Sequence, residues 1–260
     1  MKKHTIPVAL LMLFLTHPVL AYFSISPTPE QSAKMREFNL FALAGRAAER
    51  AGDYSDAIID FRRALSFDNS PGVRVELALM LDYQGVQDKA FAAYQKGFGS
   101  PIGSTFGTNE PQMQEAVARY GLMCLDRGKL ADAVQCFNTA RTWEYSSSME
   151  PLDKTLDAKT SSPKAVRMML NIARGGGLED EYLFGRQRNT EALAAFSAAA
   201  QLVPSDPRAQ YFLACGLRRA RRFTEAEAAL KKVSVLDTNG VLKEATAKSL
   251  EYVHEGQGGF

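Results

Sequence analysis

Along most of the chain, apolar and small residues recur three and four positions apart, and GDYSDAIIDFRRALSFDN (Gly52–Asn69) sets the pattern. Residues at that spacing share a helix face, so Ala57, Phe61 and Ala64 form one stripe, and Ala44, Gly45 and Ala48 form another on the preceding segment. Small residues on both stripes let two antiparallel helices approach closely, and the aromatic fills the space beside them. Gly52 suits the left-handed end of the first helix, and Asp53 or Ser55 can cap the second. The stretch therefore predicts a helical hairpin.

The spacing recurs. Gly52, Ala57, Phe61 and Ala64 return as Gly85, Ala90, Tyr94 and Gly97, and again as Gly128, Ala133, Phe137 and Ala140. Ala192, Phe196 and Ala199 keep the pattern without the glycine, and Ala226, Leu230 and Val233 keep its apolar skeleton. Twelve residues before the first alanine lies a small residue, Gly45, Ala78, Gly121 or Ala214, except in the fourth unit, which has Asp180 there. Five hairpins are expected. From Ala57 to Ala90 is 33 residues and from Ala192 to Ala226 is 34, whereas Ala90 to Ala133 is 43 and Ala133 to Ala192 is 59. The excess falls in inserts near 98–113 and 175–189 and in a polar linker over 146–162. After Gly240, Val241, Ala245, Leu250 and Val253 are spaced as one further helix.

With its period near 34 residues, the chain resembles the tetratricopeptide repeat family. The lines that carry the resemblance are GDYSDAIIDFRRALSFDN, RGKLADAVQCFNTA, NTEALAAFSAAAQLVPSDP and LACGLRRARRFTEAEAALKKVSVLDTN. The resemblance implies an all-α fold, a helical-hairpin repeat solenoid closed by a C-terminal capping helix. Residues 22–37 are then an N-terminal extension, 38–145 hold units one to three, 163–239 hold units four and five, and 240–260 form the cap and tail. The linker between the two blocks could act as a hinge, with Ser162 and Pro163 starting the helix after it.

The N-terminus changes the setting. MKKHTIPVALLMLFLTHPVLAYF has two lysines, an uncharged run from Ile6 to Ala21 and the small-residue site Val19-Leu20-Ala21, so residues 1–21 read as a secretory signal peptide. Interrupted by Pro7 and Pro18, the run falls short of the roughly 20 apolar residues that span a bilayer. Export to a bacterial envelope, periplasmic or secreted, is the expectation, with no membrane span after cleavage. Loss of Lys2 and Lys3 leaves 29 basic against 29 acidic side chains, a balance that does not suit nucleic-acid binding. Cys124, Cys136 and Cys215 are odd in number and fall on apolar stripes, so at least one is expected as a buried free thiol. A Cys124–Cys136 bridge between adjacent antiparallel helices stands as the alternative for that pair.

Candidate chemistry is sparse. His254 is the one histidine after the signal, too isolated to serve a nucleophile or complete a zinc site. Gly175-Gly176-Gly177 lacks the strand and Gly-Lys-Ser/Thr of a phosphate loop and reads as a flexible connection, and Glu179, Asp180 and Glu181 read as a solvated face. No catalysis, metal or cofactor is expected. Arg218, Arg219, Arg221 and Arg222 read as an exposed helix end or as guanidinium groups for an acidic partner.

By resemblance, the first helices of successive units line a concave groove that takes a peptide or protein partner. That places Arg46, Arg50, Leu79, Tyr83, Leu122, Tyr211, Arg218 and Arg219 on the groove. Leu79 and Tyr83 have the alternative of packing beneath the inserted loop. The asparagine and lysine set with which some family members clamp a terminal carboxylate is absent, as Ala42, Arg46 and Val75 occupy that stripe. The expectation is a non-catalytic protein-interaction scaffold. An enzyme or small-ligand-binding protein using the inserts, or a self-associating structural array, are the alternatives.

Overall fold

The structure, a computed structural model, describes residues 27–102, 111–142, 155–180 and 188–258. These residues form eleven α-helices and no strand. The first hairpin is α1 (Pro29–Ala51) with α2 (Tyr54–Phe67), the second α3 (Pro71–Tyr83) with α4 (Gln87–Phe98), and the third α5 (Pro111–Asp126) with α6 (Leu130–Thr142). The fourth is α7 (Pro163–Asp180) with α8 (Asn189–Leu202) and the fifth α9 (Pro207–Arg219) with α10 (Phe223–Leu236), and α11 (Lys243–Gly258) closes the end. The chain is thus the helical-hairpin stack that the spacing predicts.

Local chemistry sets the boundaries. The first helix of every hairpin begins with proline, Pro29, Pro71, Pro111, Pro163 or Pro207, where a missing N–H costs nothing and the fixed φ favours the helical turn. Before them, Thr28, Ser70, Ser162 and Asp206 accept backbone N–H groups of the first turn. Gln31 Oε1 in turn accepts from Thr28 N–H at 2.8 Å, completing a reciprocal cap. Gly52, Gly85 and Gly128 turn out of α1, α3 and α5 with φ of 81°, 76° and 72°. In the fifth hairpin Arg221 holds that position at φ 57°.

The core lies between paired helices. Phe61, Tyr94, Phe137 and Phe196 are wholly enclosed there. A Cβ added to Gly45 would meet Phe61 at 2.7 Å, and one added to Gly175 would meet Phe196 at 2.3 Å.

Three expectations need correction. Helix α1 begins at Pro29, so residues 29–37 of the expected extension belong to the first hairpin. The three glycines at 175–177 are not a connection but part of α7, which runs on to Asp180. They are tolerated because α7 packs tightly on its neighbours, and Gly175, not residue 180, is the small contact residue of the fourth hairpin. Finally, the two blocks are joined by packing as well as by the linker. Within a block the first helices of neighbouring hairpins are joined by the pairs Arg46–Glu76, Asp82–Arg119 and Glu179–Arg219. Across the junction α5 and α7 run antiparallel: Asp126 near the end of α5 meets Arg167 near the start of α7 at 2.6 Å, and Gly121 faces Leu170. The last stretch of the linker is fixed to α6, where Asn138 and the backbone of Leu156 exchange bonds of 2.9 and 3.0 Å. The rest of the linker and about half of each insert fall in 103–110, 143–154 and 181–187, outside the described residues.

Candidate partner-binding surface

Of the eight residues placed on the groove by sequence, two present almost nothing to a partner. Leu79 is 0% exposed in the core, and Tyr211 is 6% exposed beneath α11, where Ser249 Oγ donates to its hydroxyl at 3.4 Å. The capping helix thus covers the position that the resemblance left open. Leu122 is half-buried against the core.

Tyr83 belongs to a polar hub at the junction of the two blocks. Its hydroxyl donates to Glu115 Oε2 at 2.7 Å, and Arg119 and Arg188 stack on its ring, each with Cζ 4.7 Å from the centroid. Arg119 donates to Glu115 Oε1 at 2.7 Å and to Asp82 Oδ2 at 3.0 Å. Arg188, just before α8, donates to Glu115 Oε2 at 3.1 Å and to the Tyr83 hydroxyl. Burial pushes the Glu115 carboxyl up, but the two guanidinium groups outweigh it and hold the acid below its ordinary range. Burial, with the Glu115 charge beside it, raises the Tyr83 phenol. These groups satisfy one another, so the hub's chemistry is that of a structural latch. Sequence reading missed Asp82, Glu115, Arg119 and Arg188 because single charged residues at helical spacing look like a solvated face.

The arginine cluster is dispersed. Arg218 lies over the Tyr252 ring at 5.5 Å, Arg219 pairs with Glu179 at 3.4 Å, and Arg222 pairs with Glu225 at 2.6 Å. Glu179, expected in solvent, is buried by that pairing. Arg46 is half-exposed and donates to Glu76 at 2.8 Å.

Among the described residues, the outer face of α1 is exposed. Met35, Leu40 and Leu43 are 53%, 59% and 61% exposed, an unusual concentration of large apolar side chains in water. Arg36, Leu40, Leu43, Ala47 and Arg50 lie three or four apart and form one stripe, apolar in the middle and basic at both ends. The stripe was legible in sequence as a second helical period on α1, beside the one that contains Gly45. At the other end of the array, an open cleft of about 430 Å³ lies among α8, α9 and α10, lined by Gln201, Gln210, Leu213, Leu217, Glu225 and Lys232. Its Arg222 and Glu225 neutralise each other.

Among the described residues no group of three or more His, Cys, Asp or Glu side chains could hold a metal ion, and no helix is long and apolar enough to cross a membrane. His254 is an exposed residue of α11, 3.8 Å from Glu227.

Residues 181–237, which span α8 to α10, match the family model of the tetratricopeptide repeat. The match covers the second helix of the fourth hairpin and all of the fifth, and the stack of helical hairpins is the fold that such repeats build. Similar solved structures include MamA from Desulfovibrio magneticus RS-1, at 15% identity over 78% of this chain and 96% of that one, with a TM-score of 0.38. PilF of Pseudomonas aeruginosa aligns at 14% identity over 85% of this chain and 90% of its own, with a TM-score of 0.37. YrrB, described as having an unusual peptide-binding site, aligns at 13% identity over 83% and 94%, with a TM-score of 0.38. No curated protein matches the chain.

Proposed function

We propose that the protein is a non-catalytic interaction scaffold of the cell envelope that docks a protein segment on the outer face of α1. The observation that carries this reading is the exposed apolar stripe of Leu40 and Leu43 between Arg36 and Arg50. A soluble array normally turns a polar face outward at its ends, as α11 supplies polar residues at the other end here. Apolar surface rimmed by charge is the pattern of a docking site. Its complement is an amphipathic helix or peptide whose apolar residues are flanked by acidic ones. The envelope setting rests on residues 1–21 alone.

The test is affinity capture from the extract of the compartment in which the protein is found, with the native chain and a Leu40→Asp, Leu43→Asp variant of unchanged helicity. A specific protein lost with those substitutions supports the reading. Undiminished capture overturns the α1 assignment, and capture of further copies of this chain would replace a foreign partner by self-association. N-terminal sequencing of the purified protein tests export: a start at Tyr22 is expected, and retention of Met1 would overturn it.

A further inference from the structure

We infer that Cys124 and Cys136 form a covalent modification site, an intramolecular disulfide that ties α5 to α6. Both side chains are wholly buried, one on each helix of the third hairpin. Gly121, one turn before Cys124, lets the helices approach so closely that a Cβ on it would stand 2.8 Å from the Cys136 Cβ. Two buried thiols on helices that approach this closely, one turn apart in register, are placed to close to the roughly 2 Å of a disulfide. Cys215 is the third thiol, alone beside Tyr211 on α9, and burial pushes it up to about 11.

The same arrangement assigns the order of events. The Cys136 thiol beside it holds the Cys124 thiol below its ordinary value, whereas burial pushes Cys136 well above its own. Cys124 is therefore the first nucleophile. Its thiolate attacks one sulfur of an external disulfide oxidant, such as glutathione disulfide or a disulfide-bearing oxidase, and displaces the other sulfur as a thiolate. Cys136 then gives up its proton and attacks the Cys124 sulfur of the mixed disulfide, releasing the second sulfur of the oxidant. Two electrons and two protons pass to the oxidant, which leaves as two thiols. Since both sulfurs are closed to solvent in the folded chain, exchange takes place before α7 settles on α5 or when the third hairpin opens.

The position gives the bond a consequence for the whole array. Helix α5 carries Glu115, Arg119 and the face that meets α7, so fixing α6 to it stiffens the joint between the blocks. This inference does not depend on the docking surface on α1.

The experiment equilibrates the full purified chain in a glutathione buffer as oxidising as that of secretory compartments, then alkylates the remaining thiols under denaturing conditions. One alkylated cysteine, Cys215, is expected, with a Cys124–Cys136 linked peptide and a mass about 2 Da below that of the reduced chain. Reduction should lower Tm on the order of 5 °C in the native chain and in Cys215→Ala. It should leave Tm unchanged in Cys124→Ala with Cys136→Ala. Three alkylated thiols at that redox poise, or a link that includes Cys215, would overturn the assignment. A Tm in the native chain that ignores reductant would overturn the stiffening of the joint.

Discussion

A Cβ on Gly175 would stand 2.3 Å from Phe196 Cε1, deep inside the contact distance of two carbons. Exchange of a glycine for alanine inside a helix ordinarily stabilises by up to about 1 kcal/mol. Here the overpacking cost of about 1–3 kcal/mol outweighs it. Gly175→Ala should therefore lower stability in urea by about 1 kcal/mol, and a variant more stable than the native chain would remove the contact from the account. Arg221 gives the opposite case. It occupies at φ 57° the left-handed position held by glycine in the first three hairpins, a conformation that costs an L residue about 1–2 kcal/mol. Part of that returns as the larger unfolded-state entropy of glycine, so Arg221→Gly should stabilise by about 0.5 kcal/mol. A loss of stability would show that the arginine side chain contributes more than its backbone costs. Both residues mark where spacing alone misleads. Sequence counts back twelve positions from Ala192 and finds Asp180, because the insert near 175–189 lengthens the path between α7 and α8 and breaks the count. Close approach is made in space, and Gly175 satisfies it from a displaced position.

Helices were far more legible than the roles of their polar residues. The period of three and four in Gly52–Asn69 and its repeats located the second helix of each hairpin, and the prolines that open each first helix were in plain view. Tyr83, by contrast, was placed on a groove by register, yet it faces Glu115, 32 positions away, and Arg188, 105 positions away. Charged residues on a helix are solvated unless a distant element comes to meet them, and one unaligned sequence holds no record of that meeting. The hub that forms here has a consequence for pH. Glu115 is held below its ordinary value of 4.5, so it contributes stability in full above that value, and the contribution is lost as pH falls through the depressed one. Glu115→Gln leaves Arg119 and Arg188 without their shared anion and should cost about 3 kcal/mol at pH 7. The stability of the variant should fall less steeply with acid than that of the native chain. Parallel acid profiles, measured by urea unfolding between about pH 3 and 7, would remove Glu115 from the acid response.

The arrangement of the blocks emerges only at the scale of the whole molecule. Spacing shows that there are five hairpins and where the repeat is interrupted, and it is silent on how the fourth hairpin meets the third. The long connection frees α7 from following α6 in register, and the surface it finds is α5, met antiparallel at Gly121 because a glycine there admits Leu170. A Cβ at that position would stand 2.7 Å from Leu170 and 2.8 Å from the Cys136 Cβ, so the site cannot yield to one neighbour without pressing on the other. If this contact and the hub couple the blocks, the native chain should unfold in a single calorimetric transition, its van't Hoff and calorimetric enthalpies equal. Gly121→Val should wedge α7 from α5 while each block keeps its own hairpins. The expected trace then separates into two transitions, one for α1–α6 and one for α7–α11, and far-UV circular dichroism at low temperature stays unchanged. Reduced protein is the suitable sample, since a bond between Cys124 and Cys136 would confine the distortion to the α7 side. A single transition that merely shifts to lower temperature would mean that the blocks are coupled through contacts other than the α5–α7 face, and the junction would lose its place as the joint of the array.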